Sequence, residues 1–135
     1  RERGIKVVES KSSQASDFAS SMTVRVKTKQ KELEVEGAIF GSNNPRIVRI
    51  NSFYLEAVPE GYILILHNRD VPGVIGAVGT LLGQKGINIA GLELGREKVG
   101  GMAISFFHVD DVVPKETLEV LRGLPHIVTA ELVKL

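Results

Sequence analysis

Asn68, Asp70 and Asn88, together with the histidines at 67, 108 and 126, are the side chains whose chemistry this sequence leaves open. Histidines can shuttle protons or ligate metals. His67, His108 and His126 fall at a strand end, inside an apolar strand and in a loop, with no carboxylate at ligand spacing, so each reads as a ring tucked against the fold. No nucleophile–base pair, paired catalytic carboxylates or metal cluster can be assembled, and the chain is expected to catalyse nothing by itself. Binding remains. After Asp70, the residues Val74, Ile75, Val78, Leu81 and Leu82 recur at helical spacing, which predicts a helix starting near Pro72 with Asp70 as its N-cap. Gly86 would end it as the C′ residue, with Lys85 in the last turn. The amides of Val74 and Ile75 at such a helix start can hold a carboxylate. The competing reading makes Asp70 a cap and nothing more.

Several elements must position these groups. Residues 62–66 form an apolar strand that stops at the polar run His67-Asn68-Arg69-Asp70, expected to be a loop. Residues 87–94 return as a strand, completing a βαβ unit. A polar hairpin over 95–101, a nearly all-apolar and hence central strand over 102–109, a second helix from Pro114 and a last strand over 127–135 follow. In that helix Leu118, Leu121 and the aliphatic stem of Arg122 fall on one side. The order βαββαβ implies a four-stranded antiparallel sheet with both helices on one face, the ferredoxin-like arrangement, leaving a face or edge for dimerisation.

Upstream, residues 1–60 read as an antiparallel β-rich segment. A strand over 5–9 precedes a Ser- and Lys-rich loop over 10–17 with no large apolar group before Phe18; then Met22, Val24 and Val26 alternate with polar residues as a half-buried strand. A turn at Lys29-Gln30-Lys31 leads to Leu33, Val35 and Ile39, interleaved with Glu32, Glu34 and Glu36, so that Lys or Arg can face Glu across strands. Gly37 marks a bulge or a close backbone approach. Turns at 41–45 and at Asn51-Ser52 separate strands over 47–50 and 53–58, and Pro59-Glu60-Gly61 closes the segment. The fold class is α+β, with domains 1–60 and 61–135.

Composition narrows the function further. Seventeen basic residues against 16 acidic ones leave a net charge of +1, no field for nucleic acid or an anionic membrane. The absence of cysteine suits a reducing cytoplasm, and no apolar run approaches the roughly 18 residues of a membrane span. The start, Arg1-Glu2-Arg3-Gly4, lacks Met and reads as that of a piece from a longer chain. Gly73, Gly76, Gly79 and Gly83 sit in a predicted helix where each costs roughly 0.5–1 kcal/mol against Ala. They provide either close packing on the sheet or room for a ligand or second subunit. Their spacing is not a dinucleotide fingerprint, so no cofactor is expected on this chain.

The run Asp70-Val71-Pro72-Gly73-Val74-Ile75-Gly76, followed by Gly86-Ile87-Asn88-Ile89, resembles the signature of the ACT domain, a small regulatory module that binds amino acids. With Pro45-Arg46-Ile47-Val48-Arg49-Ile50-Asn51, Glu60-Gly61 and the ending Ala130-Glu131-Leu132-Val133-Lys134-Leu135, essentially the whole chain resembles the C-terminal regulatory region of long-type D-3-phosphoglycerate dehydrogenases. The resemblance implies part of the intervening allosteric substrate-binding domain up to about residue 60, then a complete ACT domain. It implies L-serine or a similar small amino acid as effector, contacted by Asn68, Asp70, Val71, Pro72, Gly73, Val74 and Ile75 and, from a neighbouring subunit, by Asn88 and Ile89. Asn68 stands where several relatives carry histidine or tyrosine. Homodimers through ACT domains, a tetrameric parent, and NAD bound elsewhere in that parent are implied too. So is a second anion site, to which Arg46 and His108 would contribute, Arg49 making up for a basic position that is Val58 here. The β subunit of an iron–sulfur serine dehydratase and a purely dimerising ACT module are the alternative readings.

Overall fold

A computed structural model of the chain describes residues 6–12, 20–27, 32–41 and 43–135. The chain divides into two units, Arg1–Pro59 and Glu60–Leu135. The described residues of the first form five strands, β1 (Lys6–Ser12), β2 (Ser20–Lys27), β3 (Glu32–Phe40), β4 (Asn44–Ile50) and β5 (Phe53–Ala57). They form one antiparallel meander in chain order. Ala38, Ile50, Phe53 and Ala57 are buried. The register slips between Glu36 and Gly37, a bulge, the first of the two readings of that glycine. Ser10, Lys11 and Ser12, assigned above to a loop, instead pair with Thr23, Met22 and Ser21, and Met22 is exposed rather than half-buried. Asn44 and Pro45 belong to β4 and not to the turn; proline is tolerated there because pairing with β5 begins only at Ile47. The expected loop over 13–17, Phe18 and the turn at Lys29-Gln30-Lys31 lie outside the described residues.

Opposite charges face one another across this sheet, as the alternation predicted. Arg25 stands opposite Glu34 and donates from Nε and Nη2 to its Oε2 at 3.1 and 2.6 Å. Arg49 reaches the other oxygen of Glu34 at 2.9 Å and Glu36 at 3.0 Å. Hydrogen bonds from Arg25, then from Arg49, hold the Glu34 carboxyl below its ordinary value of 4.5. Burial alone would lower Arg49, but Glu36 and Glu34 outweigh it and raise the guanidinium. A depressed folded-state pKa stabilises above the unfolded value and is lost as pH falls through the folded one. The first unit is therefore expected to lose thermal stability as pH drops below about 4.5, and Glu34→Gln to flatten that dependence in a calorimetric pH series.

The second unit comprises β6 (Tyr62–Arg69), α1 (Val74–Gln84), β7 (Ile89–Arg96), β8 (Met102–Val109), α2 (Lys115–Arg122) and β9 (Ile127–Lys134). Its antiparallel sheet has the order β7-β8-β6-β9, so the apolar β8 is interior, as expected. Val74, Val78 and Leu82 of α1 and Leu121 of α2 share one buried cluster with Leu64, Leu66, Phe107, Val109, Ile127 and Ala130 of the sheet. Both helices thus cover one face in the βαββαβ arrangement. Ile63, Ile104 and Phe106, which alternate onto the other face, are buried as well. Among the described residues no helix is long and apolar enough to cross a membrane.

Local chemistry moved several boundaries. β6 runs on through His67, Asn68 and Arg69 instead of breaking into a loop. Asn68, 2% exposed, fits inside because Ser105 Oγ donates to its Oδ1 and its Nδ2 donates to the Arg69 carbonyl, both at 2.9 Å. α1 starts at Val74, not Pro72, and its N-cap is Gly73 at φ 91, a left-handed conformation that glycine adopts without penalty. At the other end Lys85 is the C-cap and Gly86, φ 73, is the expected C′ glycine. Its N–H reaches the Gly83 carbonyl and that of Ile87 the Leu82 carbonyl, a Schellman closure. Asn88 is therefore left outside β7. In α2 the buried partner of Leu121 is Thr117; Arg122 is exposed and donates from Nε to the Ala130 carbonyl at 3.0 Å.

Candidate functional site

Asp70 sits between the end of β6 and the turn into α1, and it does not cap the helix. Its Oδ2 instead accepts from Nε and Nη2 of Arg96, both at 2.7 Å, while its own N–H donates to the Gly101 carbonyl at 2.8 Å. The hairpin between β7 and β8 thus anchors Asp70 by side chain and backbone. A positively charged partner with both donors on one oxygen leaves Oδ1 to accept elsewhere. Sequence reading passed over Arg96; it pairs with Ala103 of β8, which pairs in turn with Asn68 of β6, so the end of β7 reaches Asp70 across one intervening strand.

The helix start next to Asp70 is open. The amides of Val74, Ile75 and Gly76 precede the first intrahelical bond, which runs from Ala77 N–H to the Gly73 carbonyl at 2.9 Å, and no side chain caps them. With no acid in the first turn, the positive end of the helix dipole is uncompensated. A Cβ built on Gly73 or Gly76 would meet nothing within 4 Å, nor would one on Gly83, and one on Gly79 would touch only Ile89 Cδ1 at 3.9 Å. Close packing on the sheet therefore does not explain these glycines. Val71, Ile75 and Ile89 pack against the apolar cluster, Val74 is buried, and Pro72 and Gly73 are exposed.

The predicted residues do not all meet. Asn68 is buried with both polar atoms occupied, so it props the strand end beneath the turn. Asn88 lies beyond the far end of α1, whose 11 residues span about 16 Å. There its Nδ2 donates to Asp110 Oδ2 at 2.8 Å, and the Asp110 N–H donates to the Asn88 carbonyl at 3.1 Å. Asp110, like Arg96, is a residue that the sequence reading did not single out. Arg46 and Arg49 are on β4 of the first unit and His108 on β8 of the second. Arg49 is already engaged by Glu34, Glu36 and the Asn51 carbonyl, so an anion would compete with two carboxylates for it. Arg46 lies 3.8 Å from Glu56 and donates to the Pro45 carbonyl. The His108 ring covers Gly91, His67 Nδ1 lies 3.1 Å from Thr129 Oγ1, and His126 accepts the Arg69 amide through its carbonyl.

Residues 62–126 match the family described as the ACT domain, and residues 1–51 match the D-3-phosphoglycerate dehydrogenase intervening domain. The chain is an ACT domain preceded by intervening-domain sequence of that dehydrogenase family. A D-3-phosphoglycerate dehydrogenase of Archaeoglobus fulgidus is 40% identical over 136 residues, covering 99% of this chain and 26% of the relative. Those of Synechocystis and Bacillus subtilis are 34% and 33% identical over 135 residues, covering 100% of the chain and 24% and 26% of the relatives. The chain thus spans about a quarter of these proteins' length. Asp70, the open amides and Asn88 all lie within the ACT domain.

Proposed function

We propose that this chain is the amino-acid-sensing region of a D-3-phosphoglycerate dehydrogenase, and that L-serine binds between two ACT domains. One observation carries the reading. Asp70 and Asn88 lie at opposite ends of the edge strand β7: Asn88 immediately precedes it, and Arg96 at its end grips Asp70. Antiparallel pairing of β7 with the same strand of a second copy would set Asn88 beside the partner's Arg96, and hence beside the partner's Asp70. Leu92 and Leu94, exposed on that edge at 38% and 41%, favour such pairing, since an unpaired apolar edge is a template for association. Each of the two equivalent sites then offers amides for a carboxylate and two oxygens for an ammonium.

In the parent enzyme, oxidation of 3-phosphoglycerate with NAD would occur outside these residues, in the cytoplasm and in a tetramer. Serine would favour one arrangement of paired ACT domains, relayed through residues 59–61; an effector shifts an equilibrium only by its differential affinity for the two states. The relatives carry dehydrogenase names, which does not favour the serine dehydratase reading. Calorimetric titration of the dimeric chain with L-serine tests the proposal. Asp70→Ala or Asn88→Ala is expected to weaken binding about ten- to a hundredfold, the worth of a hydrogen bond to a charged group, while sedimentation still shows a dimer. Silence of the unmodified chain at millimolar serine would leave only a dimerising module.

A further inference from the structure

We infer that Asp110 is a positioning residue of the amino-acid site, fixing the orientation of the Asn88 amide so that its oxygen faces the ligand. The inference rests on the two-copy reading above and adds to it a residue outside the ligand's reach. An asparagine amide can normally be turned either way, and its oxygen and nitrogen look alike. Here the neighbour decides. Ionised Asp110 only accepts, so the group 2.8 Å from its Oδ2 has to be Asn88 Nδ2. Oδ1 therefore points away from Asp110 and is the atom left to receive an N–H from an ammonium group.

The backbone supports the same arrangement. Ile89 and Val109 are paired in the β7–β8 ladder, which places residues 88 and 110 side by side just beyond it. The Asp110 N–H on the Asn88 carbonyl, 3.1 Å, holds the two residues together from the main chain. Both side chains are exposed, so the pair closes no core and fills no cavity. Without the Asp110 carboxylate the amide would rotate freely, presenting its NH2 to an ammonium in part of the population. Burial and packing would not change.

The test is a calorimetric double-mutant cycle on the full chain with L-serine as the probe, using Asn88→Ala, Asp110→Ala and the double variant, with thermal midpoints confirming equal folding. Asp110→Ala is expected to weaken serine binding about tenfold and to have no further effect once Asn88 is Ala, because the two act through one atom. Asp110→Asn can accept from Asn88 Nδ2 or donate to its Oδ1, so it no longer dictates the amide orientation and is expected to regain only part of the affinity. If Asp110→Ala binds as the unmodified chain does, or if its effect adds in full to that of Asn88→Ala, the inference fails and the site stands. If Asn88→Ala is itself without effect, or the unmodified chain does not bind serine, the site reading fails and takes the inference with it.

Discussion

Gly76→Leu is expected to fold at least as well as the unmodified chain and to lose L-serine binding beyond detection. Residue 76 lies in the first turn of α1, exposed, and a Cβ there meets nothing within 4 Å. Glycine in a helix is roughly 0.5–1 kcal/mol less favourable than alanine, and leucine is nearly as good a helix former as alanine, so the chain alone should be stabilised or unchanged. A glycine kept at such a position needs a reason outside the chain. In the proposed dimer the reason is the ligand, seated over the amides of Val74, Ile75 and Gly76, and a leucine side chain would fill that space. Thermal melting together with calorimetric titration checks both halves. Serine binding at unchanged affinity would mean that the opening above the helix start serves nothing.

Leu82→Ala is expected to produce the largest loss of stability in the second unit, about 2–5 kcal/mol, the range for deleting a buried leucine side chain without collapse of the space it leaves. Leu82 is 0% exposed, and its carbonyl also receives the Ile87 N–H that closes the helix end. Against the roughly 5–15 kcal/mol that holds a typical domain together, that loss moves a urea midpoint far towards zero. The replacement should also loosen the helix end that delivers Asn88, so serine affinity should fall even where the variant is still folded. A urea titration followed by far-ultraviolet circular dichroism gives the first quantity. A change below about 1 kcal/mol would mean that α1 does not dock on the sheet through this face.

How much of this was legible in the sequence depended on whether the controlling interaction is local. The β-α-β-β-α-β order could be read because apolar period and glycine punctuation are local signals: β8 is apolar at every buried position but Ser105, and Gly86 is demanded by its positive φ. Asp70 went astray for the opposite reason. An acid before a helix looks like a cap in any window of a few residues, but Arg96, 26 positions away, competes for it with two charge-assisted bonds. Asn68 looked like a loop residue because its satisfaction comes from Ser105 on the neighbouring strand. Asp110 was hidden in the same way, its tie to Asn88 depending on a strand register that no periodicity reveals.

The separation of Asp70 from Asn88 along α1 has one more consequence. If the site is shared between two copies as proposed, a lone chain would carry two half-receptors and no whole one, and occupancy would depend on protein concentration as well as on effector concentration. Whatever factor the amino acid adds to association, association must return to the amino acid. Dilution alone would then desensitise the protein to its effector, and crowded conditions would sharpen its response without any change in its sequence.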